Sequence, residues 1–205
     1  MARGRQRGGN AAGVDPLQHG AVLVRDGVVV AAERARIARF LTQPIWQYGW
    51  RSNPRRDRYP FWHVHFAGGD YKSRASCERE LAAYQELRPI HGLWQRLKRG
   101  VLKGHVPLRV YANAHTYGVE GYVHTDNSES DYFSTLYYAH SRWDKNWAGE
   151  TVFYDKSEEE IMASVYPRPG RVVSFHGATP HCARAPSREC AALRLTVVIK
   201  TRLAQ

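Results

Sequence analysis

Gly121-Tyr122-Val123-His124-Thr125-Asp126 decides how the rest of the chain is read. On extended backbone, residues two apart point to the same face. His124 and Asp126 therefore set an imidazole and a carboxylate side by side, able to grip one metal ion. One further histidine from a distant strand would complete a face of two histidines and one carboxylate. With positions left open, such a face is the usual seat of non-haem Fe(II) in oxygenases. A His-x-Asp is common by chance, so the surrounding chain has to support it.

Three histidines lie downstream: His140, His176 and His181. His140 sits in a tryptophan-rich turn, and His176 lies between Phe175 and Gly177. His181 follows Thr179-Pro180, where proline fixes the backbone ahead of it, and it is the expected third ligand. Arg194 is a charge inside the apolar run Leu193-Arg194-Leu195-Thr196-Val197-Val198. A buried arginine is costly unless paired, and its planar fork suits a carboxylate better than the point charge of lysine. Beside a metal it is expected to anchor the far carboxylate of an oxo-diacid such as 2-oxoglutarate. Thr196, on the same face, would add a hydroxyl.

The chain has 205 residues, enough for one domain with a proper core. Residues 1–18, rich in Gly, Arg, Asn and Ala, are expected to be a disordered basic tail. Residues 19–205 are expected to form one domain, helical and aromatic over 19–104 with a β core over 105–203. No apolar run approaches the ~20 residues of a membrane span, and no signal peptide is recognised, so a cytoplasmic protein is expected. Cys77, Cys182 and Cys190 are then reduced thiols. Cys182 and Cys190 flank a loop and could bridge, but nothing requires it. The net charge of +11 is compatible with nucleic acid or with anionic small molecules. Its clusters over 51–58 and 96–103 read first as solvated faces. Nothing in the sequence specifies an oligomeric state.

Along the chain, the turn signal Asp26-Gly27 between apolar runs predicts a hairpin over 22–30. Helical spacing follows over 33–41, ended by Pro44. Residues 61–66 alternate as a strand with His63 and His65 on one face. A long helical pattern over 78–99 is expected to be split by Pro89 and Gly92. Beyond Val106 the pattern becomes β, with short strands and Gly, Pro, Asp and Asn turns. This predicts a mainly β sandwich or jelly roll with flanking helices.

Taken in order, His124-Thr125-Asp126, Leu136-Tyr137-Tyr138, Trp147-Ala148-Gly149-Glu150-Thr151, the run from Pro167 to Phe175, Pro180-His181 and Arg194-Leu195-Thr196 resemble the prolyl-4-hydroxylase-like branch of the Fe(II)/2-oxoglutarate dioxygenases. The resemblance covers roughly residues 105–200. It implies a double-stranded β-helix core of the cupin-like kind. It implies Fe(II) on His124, Asp126 and His181, 2-oxoglutarate on Arg194, dioxygen as oxidant, and ascorbate as a reductant. Tyr138 matches the tyrosine that touches the cosubstrate in related enzymes; Tyr111 and Asn113 are candidates for a second contact. Collagen-type members commonly use lysine as the anchor, so Arg194 does not carry over a peptidyl-proline substrate. Because Asp126 is present, oxygenation is expected rather than halogenation.

Substrate contacts are expected from Trp50, Trp62, His63, His65, Tyr117 and Asp131, which are rings and polar tips in segments near the site. The arginines of 51–58 beside those rings suggest an anionic group on a small-molecule substrate, as in a biosynthetic hydroxylase. A peptidyl hydroxylase is the alternative within the class. A jelly-roll binding module without chemistry and a basic nucleic-acid-binding domain are the alternatives outside it.

Overall fold

The computed structural model describes residues 22–69 and 72–204; the expected tail lies outside them. Among the described residues ten strands and three α-helices are formed in the order β1 (Leu23–Arg25), α1 (Ala31–Leu41), β2 (Gln47–Trp50), β3 (Phe61–Ala67), α2 (Glu78–Ala83), α3 (Arg88–Lys98), β4 (His105–His115), β5 (Tyr132–Tyr138), β6 (Thr151–Tyr154), β7 (Ile161–Val165), β8 (Val172–His176), β9 (His181–Ala183) and β10 (Arg194–Leu203). Seven strands make the major sheet in the order β1-β8-β5-β10-β4-β3-β2, and three make the minor sheet β7-β6-β9. All pairings between strands are antiparallel. Two sheets enclosing a site give the expected jelly-roll core.

Strand alternation gives the major sheet two different faces. Val110, Ala112 and Ala114 of β4 and Leu195, Val197 and Ile199 of β10 pack with Ile37, Leu81, Leu93, Trp94 and Leu97 of the helices. The helices form because their apolar residues recur on one side, and the sheet's outer face is where that side is buried. The opposite face carries Arg109, Tyr111, Asn113 and His115 on β4, in register with Lys200, Val198, Thr196 and Arg194 on β10. Between the sheets, Tyr111, Leu136, Tyr138 and Val198 meet Phe153, Val173 and Phe175.

Two local expectations change. The chain turns at Asp26-Gly27, with Gly27 at φ +74°, but β1 pairs with β8 instead of folding back on residues 28–30. Val28 and Val29 are drawn into the helical core, and Arg171 grips the Asp26 carboxylate at 2.9 and 2.8 Å. Pro89 starts α3 instead of breaking a helix, and Gly92 lies within it. The break falls earlier, at Tyr84, whose extended backbone ends α2; proline in the first turn costs no hydrogen bond. The three cysteines are free.

Candidate active site

His124 and Asp126 lie on a loop, not on the strand that the spacing predicted. His124 forms an isolated antiparallel bridge with His181, the first residue of β9. Reciprocal backbone hydrogen bonds at 3.1 and 3.0 Å join the two histidines, and the Asp126 amide donates to the Gly177 carbonyl at 2.8 Å. Short-range pairing thus brings segments far apart in sequence to one point. The ligand atoms of His124, Asp126 and His181 all lie within 4.8 Å of one another.

The donor set fits a divalent metal. Nδ1 of His124 faces the Tyr122 carbonyl at 2.7 Å, and Nδ1 of His181 faces the Thr179 carbonyl at 2.9 Å. A carbonyl only accepts, so Nδ1 carries the proton in each ring. Each Nε2 lone pair is left for the metal, with the outer hydrogen bond that metal-bound histidines usually show. Burial pushes the His181 imidazole down to about 4, so it is neutral, as a ligand must be.

Two residues behind Asp126 escaped the sequence analysis. Ser134 Oγ donates to Asp126 Oδ2 at 2.5 Å. Lys200, 2% exposed, forms an ion pair with Asp126 and donates to Ser134 Oγ at 2.9 Å. Burial opposes the charge on Asp126, but Lys200 foremost and the two histidines outweigh it and hold the carboxyl well below its ordinary range. Lys200 is six residues beyond Arg194 on the same strand face, so period-two alternation was the signal that would have found it.

Arg194 is 1% exposed. Its Nε donates to the Gly149 carbonyl at 2.5 Å and its Nη2 to Thr151 Oγ1 at 2.9 Å. The Tyr138 hydroxyl meets Thr151 Oγ1 at 2.6 Å, and the guanidinium lies 5.4 Å from the Tyr138 ring centre. Gly149 has φ +82°, and a Cβ there would come within 2.9 Å of Trp143 and 3.3 Å of Arg194. Among the described residues no carboxylate is paired with Arg194. A buried unpaired cation is strongly unfavourable, so an anion in this pocket would be stabilised by Arg194. His115, Asn113, Thr196 and Tyr111 line the same pocket as Arg194 and the metal triad. Asn113 Oδ1 faces His63 Nδ1 at 2.9 Å. His115, at the start of a loop expected to wall the pocket, lies in it; Thr151 was not foreseen there and arrives from the minor sheet, a placement no local pattern reports.

The expected substrate residues separate. Trp50 lines an open cleft of about 610 Å³ that reaches His124, Thr125 and Asp126. It stacks on the buried ring of His63, with centres 4.1 Å apart. Trp62 points to the other side of β3 and meets Tyr48. The His65 ring is turned to the Gly68 carbonyl at 2.6 Å. Tyr117 is 63% exposed. Asp131 pairs with Arg74. Of the arginines in 51–58, Arg51 lines the cleft, while Arg56 is bound to Glu158 at 2.7 Å and to the Val123 carbonyl. Asp57 accepts from the Asn53 and Tyr122 amides. Much of this loop therefore clamps the metal-bearing segment.

Residues 111–199 match the family model of the 2OG-Fe(II) oxygenase superfamily. A comparison with curated protein sequences gives no match. Among solved structures, a 2OG-Fe(II) oxygenase family oxidoreductase from Burkholderia pseudomallei has a TM-score of 0.70 at 18% identity, covering 94% of this chain and 92% of that one. A Trichoplax adhaerens prolyl hydroxylase, solved with a hypoxia inducible factor peptide fragment, has a TM-score of 0.60 at 16% identity, covering 92% and 86%. HygX from Streptomyces hygroscopicus, solved with nickel, 2-oxoglutarate and hygromycin B, has 0.59 at 16%, covering 90% and 84%. Among the described residues no helix is long and apolar enough to cross a membrane. The superfamily match falls on the segment that bears His124, Asp126, His181 and Arg194, the fold is the one these oxygenases share, and together they support an Fe(II)/2-oxoglutarate-dependent dioxygenase.

Proposed function

We propose that the chain hydroxylates a C–H bond of a polar small molecule bound in the open cleft, with His124, Asp126 and His181 holding Fe(II) and Arg194 holding the distal carboxylate of 2-oxoglutarate. The carrying observation is the convergence of the triad and an uncompensated buried guanidinium on one pocket. With Fe(II), 2-oxoglutarate and dioxygen supplied, the chemistry is oxidative decarboxylation to succinate and CO2, coupled to transfer of one oxygen atom into the C–H bond. The protein's part is to orient. Tyr122 and Thr179 carbonyls aim the two imidazoles, Ser134 and Lys200 hold one side of Asp126, and Thr151 and Gly149 hold the Arg194 fork. Phe153 and Phe175, packed against His181, keep water from that flank.

A cleft of about 610 Å³ suits a small molecule, within the ~300–1,000 Å³ of ordinary ligand sites. HygX, which was solved with hygromycin B, shares the fold. The test is succinate formation from 2-oxoglutarate with added Fe(II), first alone and then across a panel of polar small molecules and proline-containing peptides. Succinate should rise with a small molecule, and His124→Ala should reduce it to the metal-free background. Stimulation by peptides alone would overturn the substrate assignment; no Fe(II)-dependent succinate at all would overturn the whole reading.

A further inference from the structure

Resting on that reading, we propose that Arg109 is the receptor for an anionic group of the substrate. Arg109 lines the open cleft together with Trp50, His124 and Asp126. Its Nε–H is buried and has no hydrogen-bond partner among the described residues. Leaving such a donor unmade is expensive, so each instance in a native structure needs an explanation. No ion pair holds Arg109 either, among the described residues. The guanidinium carbon lies 5.0 Å from the ring centre of Tyr111, which covers one side of the fork and leaves its edge available.

The neighbouring cation sharpens the assignment. Arg109 and Lys200 are direct partners across β4 and β10, with Cα atoms about 5 Å apart in such pairs. Two positive groups so close repel each other. Lys200 is neutralised by Asp126, whereas Arg109 keeps its full charge in a half-buried place. A carboxylate or phosphate on the ligand would satisfy the orphan donor and the charge at once, through the two-donor geometry that suits arginine. The half-exposed face of Trp50, 38% accessible, offers a flat apolar surface at the same opening. An anion held at Arg109 would lay the attached carbon framework across the mouth of the metal site. The expected substrate is therefore a small molecule with a terminal oxyanion and a planar or apolar body.

The test uses the full chain loaded with Mn(II) and saturating 2-oxoglutarate without oxygen, so that Arg194 is already occupied. Phenyl phosphate, phenylacetate and phenylacetamide are titrated by calorimetry. At least one anion should bind about tenfold or more tightly than the neutral amide, and whichever it is names the phosphorylated or carboxylated class. Arg109→Gln should erase the preference. Arg109→Lys, which keeps the charge but loses the fork, should keep only part of it and serves alone if the glutamine variant does not fold. Absence of anion binding, equal affinity for all three probes, or a preference undiminished in both variants overturns the proposal. Binding of 2-oxoglutarate is titrated separately. Its absence would count against the oxygenase site itself, whereas its presence without any anion preference would count only against Arg109.

Discussion

One sheet face carries an arginine near each end of its inner surface, and the two are in opposite states. Arg194 is fully enclosed, with donors committed to Gly149 and Thr151 and a tyrosine ring alongside. Arg109 opens on the broad cleft and has a donor committed to nothing among the described residues. The lesson concerns the partner each awaits. A ligand common to every turnover can be met by a pocket whose walls are set in advance. A ligand that arrives through solvent meets a group left partly free.

The strongest way to break this contrast is at the closed end. Arg194→Gln should raise the KM for 2-oxoglutarate by about a thousandfold, the scale of removing one partner from a buried charge pair, while Arg194→Lys should recover part of it. Initial-rate measurements of succinate at varied 2-oxoglutarate decide it. A change below tenfold would mean that the guanidinium is structural and not an anchor.

Directly across from Arg109 stands Lys200, and its removal sharpens the reason why Arg109 is the cation left free. Lys200→Met leaves Asp126 buried with Ser134 as its remaining side-chain donor. The metal-free protein should lose about 3 kcal/mol. A divalent ion would replace the missing charge, so Mn(II) should raise the melting temperature more in the variant than in the parent. Equal gains would show that Lys200 and the metal do not share Asp126.

The smallest effect concerns the dryness common to both ends. Burial pushes His63 down to about 4 and His140 to about 4. His115, at the Arg194 end, falls to about 3, through burial first and then the neighbouring guanidinium. These rings stay neutral when folded and gain protons when unfolded, so the unfolded chain binds more protons below its ordinary histidine pKa of about 6.5. Their stabilising contribution is complete above that value and is lost as pH falls toward 4. Melting curves of the metal-free protein from pH 7 to 5 should therefore shift steadily downward. A flat profile would mean that these rings are wetter than their burial implies.

Legibility followed how local each determinant is. Arg194 stood out because a charge interrupted an apolar strand, and the strand pattern of residues 105–200 exposed the jelly roll. Lys200 and Arg109 also sit within strands, Arg109 midway along β4, yet neither was singled out. Period-two spacing from Arg194 points to Lys200, but seeing that it meets Arg109 required knowing that β4 and β10 pair in register. The hairpin expected at Asp26-Gly27 failed for a related reason. The turn chemistry was read correctly, but the choice of strand partner was settled by β8, nearly 150 residues away. Thr151 and Gly149 entered only as part of a motif; their hold on Arg194 was not legible, since it depends on what the minor sheet brings across.

The ring anchors of His124 and His181 have one more consequence. Each imidazole is oriented by a carbonyl only two residues before it in the chain, at Tyr122 and Thr179. The aim of each donor is thus written into its own tripeptide and owes little to the cavity walls. Such a self-contained unit lets the surrounding barrel be rebuilt for new cargo while the grip on iron stays tuned.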